Sequence, residues 1–248
     1  MNKLKVFTQA TESPDIFKVY WSNNLIRPNG VVTTTVPGQI EDKMIIAELR
    51  ALQYLLEERW VLGEHVTGNA NTHLIVSLGA IRKLKQGRSG KGHLARYAEF
   101  LCTRFAGCEI EVDKDQRLFE VDPPEQTELL VTGPLPETIA IRRIGRVGIT
   151  RHVMNRLAER MKLEQPTDPG KIWKCLQRVA GDPAVREIGR RGGLFARVAY
   201  QHQGQDEGRY FLSPKQNMVL VVTDNARGRQ LVTAYPASSK YFDLAAAA

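Results

Sequence analysis

One change of hydrophobic period organises the first 60 residues. Leu4–Thr8, Asp15–Ser22 and Val31–Val36 read as strands. In the second, Phe17, Val19 and Trp21 alternate with polar neighbours, and the third is rich in β-branched residues. Asn29-Gly30 reads as the turn that opens the third. Ile40–Arg59 then switches to helical spacing, with Ile45, Leu49, Leu52, Leu55 and Leu56 on one side. A loop over Gly63–Asn71 leads to a short apolar strand at His73–Ser77, a helix, a basic loop, a helix over His93–Phe105 and a strand at Glu109–Val112. The order β-β-β-α-β-α-α-β predicts a mixed sheet with helices packed on it, because one-sided strands and a one-sided helix bury their apolar faces against each other.

The period breaks near residue 125. Val121–Glu128 contains Pro123-Pro124 and reads as a linker, since proline cannot extend a sheet interior. Leu129–Thr132 and Thr138–Ile144 read as short strands that bridge the domains or begin the second. Domains are therefore expected at 1–125 and 126–243. In the second, a helix begins at Thr150, and Lys171–Ala180 is another, with Ile172, Trp173, Leu176 and Val179 apolar. A helical turn is expected at Ala184–Gly189. Strands follow at Leu194–His202, Arg209–Leu212, Met218–Thr223 and Gln230–Tyr235, joined by short turns that imply antiparallel neighbours. The expected class is α+β: a mixed sheet with helices, then a small domain of two helices and a four-stranded antiparallel sheet.

Charge narrows the partners. The chain carries +8 at neutral pH. Arg146 to Asp243 holds 17 Lys/Arg against 9 Asp/Glu, which accounts for all of it, while the remainder has 18 of each. A basic half beside a neutral half points to a polyanion, RNA or DNA. No apolar run reaches the ~18 residues that span a bilayer, so no membrane is expected. Met1–Val6 enters a strand without a secretory apolar region. Cys102, Cys108 and Cys175 are odd in number and lack metal spacing, and they read as reduced thiols of a cytoplasmic protein. No cofactor pattern is present, and Leu244–Ala248 is left out of the expected fold.

The chemistry gathers on the helix that Thr150 caps. Ile149, Val153, Leu157 and Met161 recur every four residues and face a core. His152, Arg156 and Arg160 form a second stripe beside them. An imidazole near its titration range can act as acid or base, and two guanidinium groups can hold a phosphate. Thr233 and Tyr235 alternate with Ala234 and so share a sheet face, where they can donate to phosphate or stack on a base. Tyr210 and Lys240 are weaker candidates, and His202 reads as a loop residue. This set suits RNA cleavage without a metal, in which the 2′-hydroxyl attacks the adjacent phosphate. The loop from Arg82 to His93 adds a second basic feature, with Arg82, Lys83, Lys85, Arg88 and Lys91 among three glycines. It fits neither the P-loop nor the dinucleotide pattern, and it reads as a non-specific contact to a nucleic-acid backbone.

Two resemblances follow from these residues. The element order of the first half, with Ala47-Glu48-Leu49-Arg50-Ala51-Leu52 in its first helix, resembles the ribonuclease H fold. The resemblance implies a metal-binding carboxylate at Glu48 and aspartates at the ends of the first and fourth strands, where this chain has Gln9 and Leu78. It therefore implies a ribonuclease H-like domain without its usual two-metal activity. The second half resembles the metal-independent ribonucleases grouped with barnase, colicin D and RelE-like toxins of phages and mobile elements. That resemblance rests on Ile149-Thr150-Arg151-His152 with Arg156, and on Val232-Thr233-Ala234-Tyr235-Pro236. It implies a site at His152, Arg156, Thr233 and Tyr235, a toxin or mobile-element role, and an inhibitor or regulatory protein as partner. The expected function is a metal-independent endoribonuclease. The alternative is a non-catalytic nucleic-acid-binding or regulatory protein built from two degenerate nuclease folds. An active metal-dependent ribonuclease H and a structural component of a phage or plasmid particle complete the rivals. Oligomeric state is left open.

Overall fold

The computed structural model describes residues 1–24, 29–63, 71–115, 125–160, 169–189, 208–226 and 228–237. It is an α+β protein with two mixed six-stranded sheets and five α-helices among these residues, divided into units Met1–Leu135 and Pro136–Ala248. No helix of the described residues is long and apolar enough to cross a membrane.

In the first unit, β1 (Asn2–Ala10), β2 (Ile16–Asn23) and β3 (Asn29–Thr35) form an antiparallel meander. The alternation of Phe17, Val19 and Trp21 turns them to one face with Leu4, Val6 and Val32. Helix α1 (Lys43–Glu57) lies on that face, and Ile46, Leu49, Leu52 and Leu55 are fully buried there. Each such side chain contributes about 1.5–3 kcal/mol. Next come β4 (Thr72–Val76), α2 (Gly79–Gln86), α3 (Glu99–Cys102), β5 (Glu109–Val112) and β6 (Glu125–Leu130). β4 runs parallel to β1, β5 to β4 and β6 to β3, giving the order β5-β4-β1-β2-β3-β6.

Three local expectations change here. Glu125–Glu128 is strand rather than linker, and its pairing with β3 carries the first unit ten residues past the expected boundary. Asn29-Gly30 belongs to β3. A Cβ on Gly30 would lie 2.7 Å from Trp21 Nε1 and 2.8 Å from the Glu125 carbonyl oxygen, so glycine is needed for close approach. The helix expected over His93–Phe105 is a 3₁₀ turn at Gly92–Leu94 followed by the four-residue α3.

The second unit starts with a hairpin, β7 (Thr138–Ile141) and β8 (Gly145–Gly148). α4 (Arg151–Arg160) and α5 (Pro169–Ala180) follow. β9 (Arg186–Ile188), β10 (Arg209–Ser213), β11 (Met218–Asn225) and β12 (Gly228–Pro236) then run antiparallel, each to the next. The expected four-stranded antiparallel sheet is thus part of a larger one. β8 joins β12 in parallel, and the order is β7-β8-β12-β11-β10-β9. The expected helical turn at Ala184–Gly189 is the strand β9, because Arg186–Ile188 pairs with Leu212–Tyr210. The strand expected at Leu194–His202 lies outside the described residues. One sheet face packs Phe211, Leu220, Val222, Leu231 and Ala234 with Val153, Leu157, Trp173 and Leu176 of the helices. The other carries Ile188, Tyr210, Leu212, Val219 and Val221. A bulge between Val221 and Val222 shifts the register by one residue, which lets Leu231 and Ala234 share a core although they are three apart.

Candidate functional site

Glu48 lies in the middle of α1 and is fully buried. Its carboxylate accepts the Thr8 hydroxyl at 2.6 Å, the Ser77 hydroxyl at 2.5 Å, the Ser77 backbone N–H at 2.8 Å and the Leu78 N–H at 3.4 Å. The Ser77 hydroxyl also accepts the Thr8 N–H at 3.1 Å. Burial pushes the carboxyl above the ordinary glutamate range, against the pull of these donors. The side chain of β1 that meets Glu48 is therefore Thr8, not Gln9, and beyond β4 it is Ser77, not Leu78. Strand side chains alternate, so an error of one residue exchanges the inward face for the outward one, and Gln9 is exposed. Two hydroxyls and one carboxylate form a closed hydrogen-bonded cluster, with too little negative charge to hold two divalent cations.

A second acidic group stands at the start of α1. Ligand atoms of Glu41, Asp42 and His93 lie within 4.8 Å of one another. The Lys91 ammonium donates to both Asp42 carboxylate oxygens, at 2.6 and 2.7 Å, and so already supplies the compensating cation. Two of the five cations of the basic loop are engaged within the first unit. Lys91 ties the loop to α1, and Lys85 turns inward to donate to the Cys108 carbonyl, where burial lowers its pKa. Gly87 terminates α2 at φ 70°, with its own N–H and that of Arg88 closing the last turn. Arg82, Lys83 and Arg88 alone of the five stay exposed.

In the second unit, α4 begins as expected. The Thr150 hydroxyl accepts the Val153 N–H at 3.4 Å, and Val153, Met154 and Leu157 are buried. The basic stripe is only partly assembled. His152 is exposed in the first turn, with no partner among the described residues, about 12 Å of helix axis from Arg160. Arg156 pairs with Glu159 at 3.1 Å on the surface, an arrangement worth about 0–1 kcal/mol. Arg160 instead covers the Tyr235 ring, its guanidinium carbon 3.6 Å from the centroid. Burial lowers the Arg160 pKa, and its Nη1 is buried with no hydrogen-bond partner among the described residues. Thr233 and Tyr235 pair with Val221 and Val219 on β11, on the face away from the helix core. Thr233 is 9% exposed, and its hydroxyl also lacks a partner among the described residues. The structure thus brings Arg160 to Tyr235 and leaves His152 and Arg156 apart from them. Tyr210 is buried, and Lys240 and His202 lie outside the described residues.

Sequence reasoning passed over Thr8 and Ser77, which look like ordinary strand and loop residues. The polar Thr8 at an inward position of an otherwise apolar strand was the available signal. No family model matches the chain, and no curated protein or solved structure matches it either.

Proposed function

We propose that the protein is a nucleic-acid-binding protein, with RNA its expected ligand, whose first unit is a ribonuclease H-like module without a metal centre. The observation that carries the binding reading is the charge balance of the second unit. Glu159, Glu187 and Asp224 are committed to Arg156, Arg209 and Arg229. Asp182 accepts from Ser213 and from the backbone of Ala184 and Lys215, and Glu137 is buried. Apart from Lys215, which lies beside Asp182, the remaining exposed cations form no ion pair with a carboxylate among the described residues, and a surface of that kind favours phosphate. The element order of the first unit and the closed Glu48 cluster support its reading as a non-catalytic module.

A second reading, the metal-independent endoribonuclease that cleaves RNA by 2′-hydroxyl attack, is favoured by one feature. Arg160 Nη1, beside the Tyr235 ring, and the Thr233 hydroxyl, two residues before Tyr235 on β12, are buried polar groups without hydrogen-bond partners among the described residues, and a phosphate oxygen would satisfy either. In this reading Arg160, Thr233 and Tyr235 bind a phosphate, and His152, about 12 Å of helix axis away at the exposed start of α4, meets the RNA at a neighbouring nucleotide, with Arg156 between them. One experiment separates the two. Purified protein is incubated with total RNA in EDTA, beside His152→Ala and Arg160→Ala. A gel shift without cleavage supports the binding protein. Cleavage by the wild type that leaves 2′,3′-cyclic phosphate ends, and is lost in the variants, supports the nuclease. Neither shift nor cleavage at low salt refutes both.

A further inference from the structure

Resting on the nucleic-acid reading, we infer that the second unit holds a nucleic-acid backbone along a cationic track made by α5 and the β7–β8 turn. The track begins with Lys171, Lys174 and Arg178. They recur at i, i+3 and i+7 on the exposed side of α5, opposite buried Ile172, Trp173, Leu176 and Val179, and span about 10 Å of helix axis. The β7–β8 turn continues it. The Arg142 N–H donates to the Ala180 carbonyl at 3.3 Å, which sets exposed Arg142 and Arg143 at the C-terminal end of α5, with exposed Arg146 just beyond on β8. Neither Thr138–Gly148 nor Pro169–Ala180 contains an Asp or Glu.

Three observations separate this track from an ordinary solvated face. Lys171 lies in the first turn of α5, which has no acidic residue, and a cation there opposes the helix dipole by about 0.3–1 kcal/mol. The charge therefore costs the helix stability. Arg143 is held at φ 66°, in the left-handed region where glycine or asparagine fits with less strain. The large exposed hydrophobic residues among those described are Met1, Ile40, Trp60, Leu130, Leu135 and Val232, and none is on the track. A protein partner would need an apolar or aromatic centre to its interface, and an amphipathic membrane anchor would need an apolar face. A row of cations with no carboxylate partner among the described residues, and without either of these, matches a phosphodiester backbone, read through charge and not through base sequence.

The test uses the full chain, with fluorescein-labelled single-stranded RNA and DNA oligonucleotides titrated at several NaCl concentrations. Lys171→Gln/Lys174→Gln/Arg178→Gln should weaken binding roughly tenfold or more near 0.1 M salt and flatten the log–log salt slope by about 2, at ~0.7 per lost phosphate contact. Lys3→Gln/Lys18→Gln/Lys215→Gln removes the same charge elsewhere and should leave the slope unchanged. Arg143→Gly should weaken binding while thermal stability holds or rises, since glycine suits φ 66°, which separates binding from folding. Wild-type binding that all the track variants retain overturns this assignment and leaves the nucleic-acid reading standing. A wild type that binds neither RNA nor DNA overturns both. Binding to vesicles of anionic lipid but not to nucleic acid overturns the assignment in favour of a membrane surface.

Discussion

Replacing Glu48 by alanine removes the acceptor on which Thr8, Ser77 and Leu78 converge. The Ser77 N–H is fixed by the backbone and cannot turn away, so leaving it buried and unpaired costs about 1–3 kcal/mol. The two hydroxyls can rotate toward other acceptors, and together they lose about 1 kcal/mol. The space vacated in a core whose neighbours Ala47, Leu49 and Leu52 are fully buried adds about 1 kcal/mol. The expected loss is roughly 3–5 kcal/mol, a large fraction of a typical domain's stability. Glu48→Gln is the informative partner. Its carbonyl oxygen can keep both backbone N–H donors, and its amide can donate to the two hydroxyls, so the loss should stay within about 1 kcal/mol. The pH dependence has a definite sign. A carboxyl whose folded pKa is raised binds its proton more tightly when folded. Its contribution is complete below the unfolded value and declines as pH rises through the folded one. The stability of Glu48→Gln relative to wild type should therefore improve as pH rises above about 4.5. Urea unfolding at a series of pH values measures both effects. A Glu48→Ala loss below about 1 kcal/mol, or a glutamine variant as unstable as the alanine one, would refute the account of a closed, fully bonded cluster.

Gly30→Ala should cost about 1–3 kcal/mol in urea unfolding, because the new methyl meets Trp21 and the Glu125 backbone below 3 Å. Thr233→Val should stabilise the second unit by about 1 kcal/mol, by removing a buried hydroxyl without a partner, and a thermal melt reads this. If that hydroxyl serves RNA, the same variant should bind or cleave RNA less well. Burial pushes the Cys108 thiol up to about 11, so at pH 8 it should resist alkylation in the folded chain, and half-buried Cys102 should react first. Mass spectrometry after timed iodoacetamide treatment gives the order, and early labelling of Cys108 would refute its burial.

Much of the first unit was legible because its signals are local. The period-two pattern of Phe17, Val19 and Trp21 and the helical spacing of Ile45 to Leu56 name both the element and the face it buries. The Thr150 cap and the start of α4 were legible for the same reason. What failed was non-local. Nothing near Glu125 announces that it will pair with Gly30, about 95 residues earlier. Nothing in the short run Arg186–Ile188 distinguishes a strand from a helical turn until β10 lies beside it. The candidate site divides along the same line. Arg160 and Tyr235 were both named from sequence, yet only packing put one over the other and left His152 on the surface.

The sequence by itself determined the α+β class, the placing of positive charge in the second half, and the burial of the apolar α1 face from Ile45 to Leu56. Composition and short-range periodicity are enough for these, because they depend on residues within one or two turns of each other. Tertiary structure decided which residues meet. It selected Thr8 and Ser77 over Gln9 and Leu78 through a one-residue register, turned Lys85 inward to Cys108, and paired Lys91 with Asp42. It also left the α5 track without a carboxylate partner among the described residues. Register and ion pairing are settled by partners tens of residues away, whose approach depends on how the whole sheet closes.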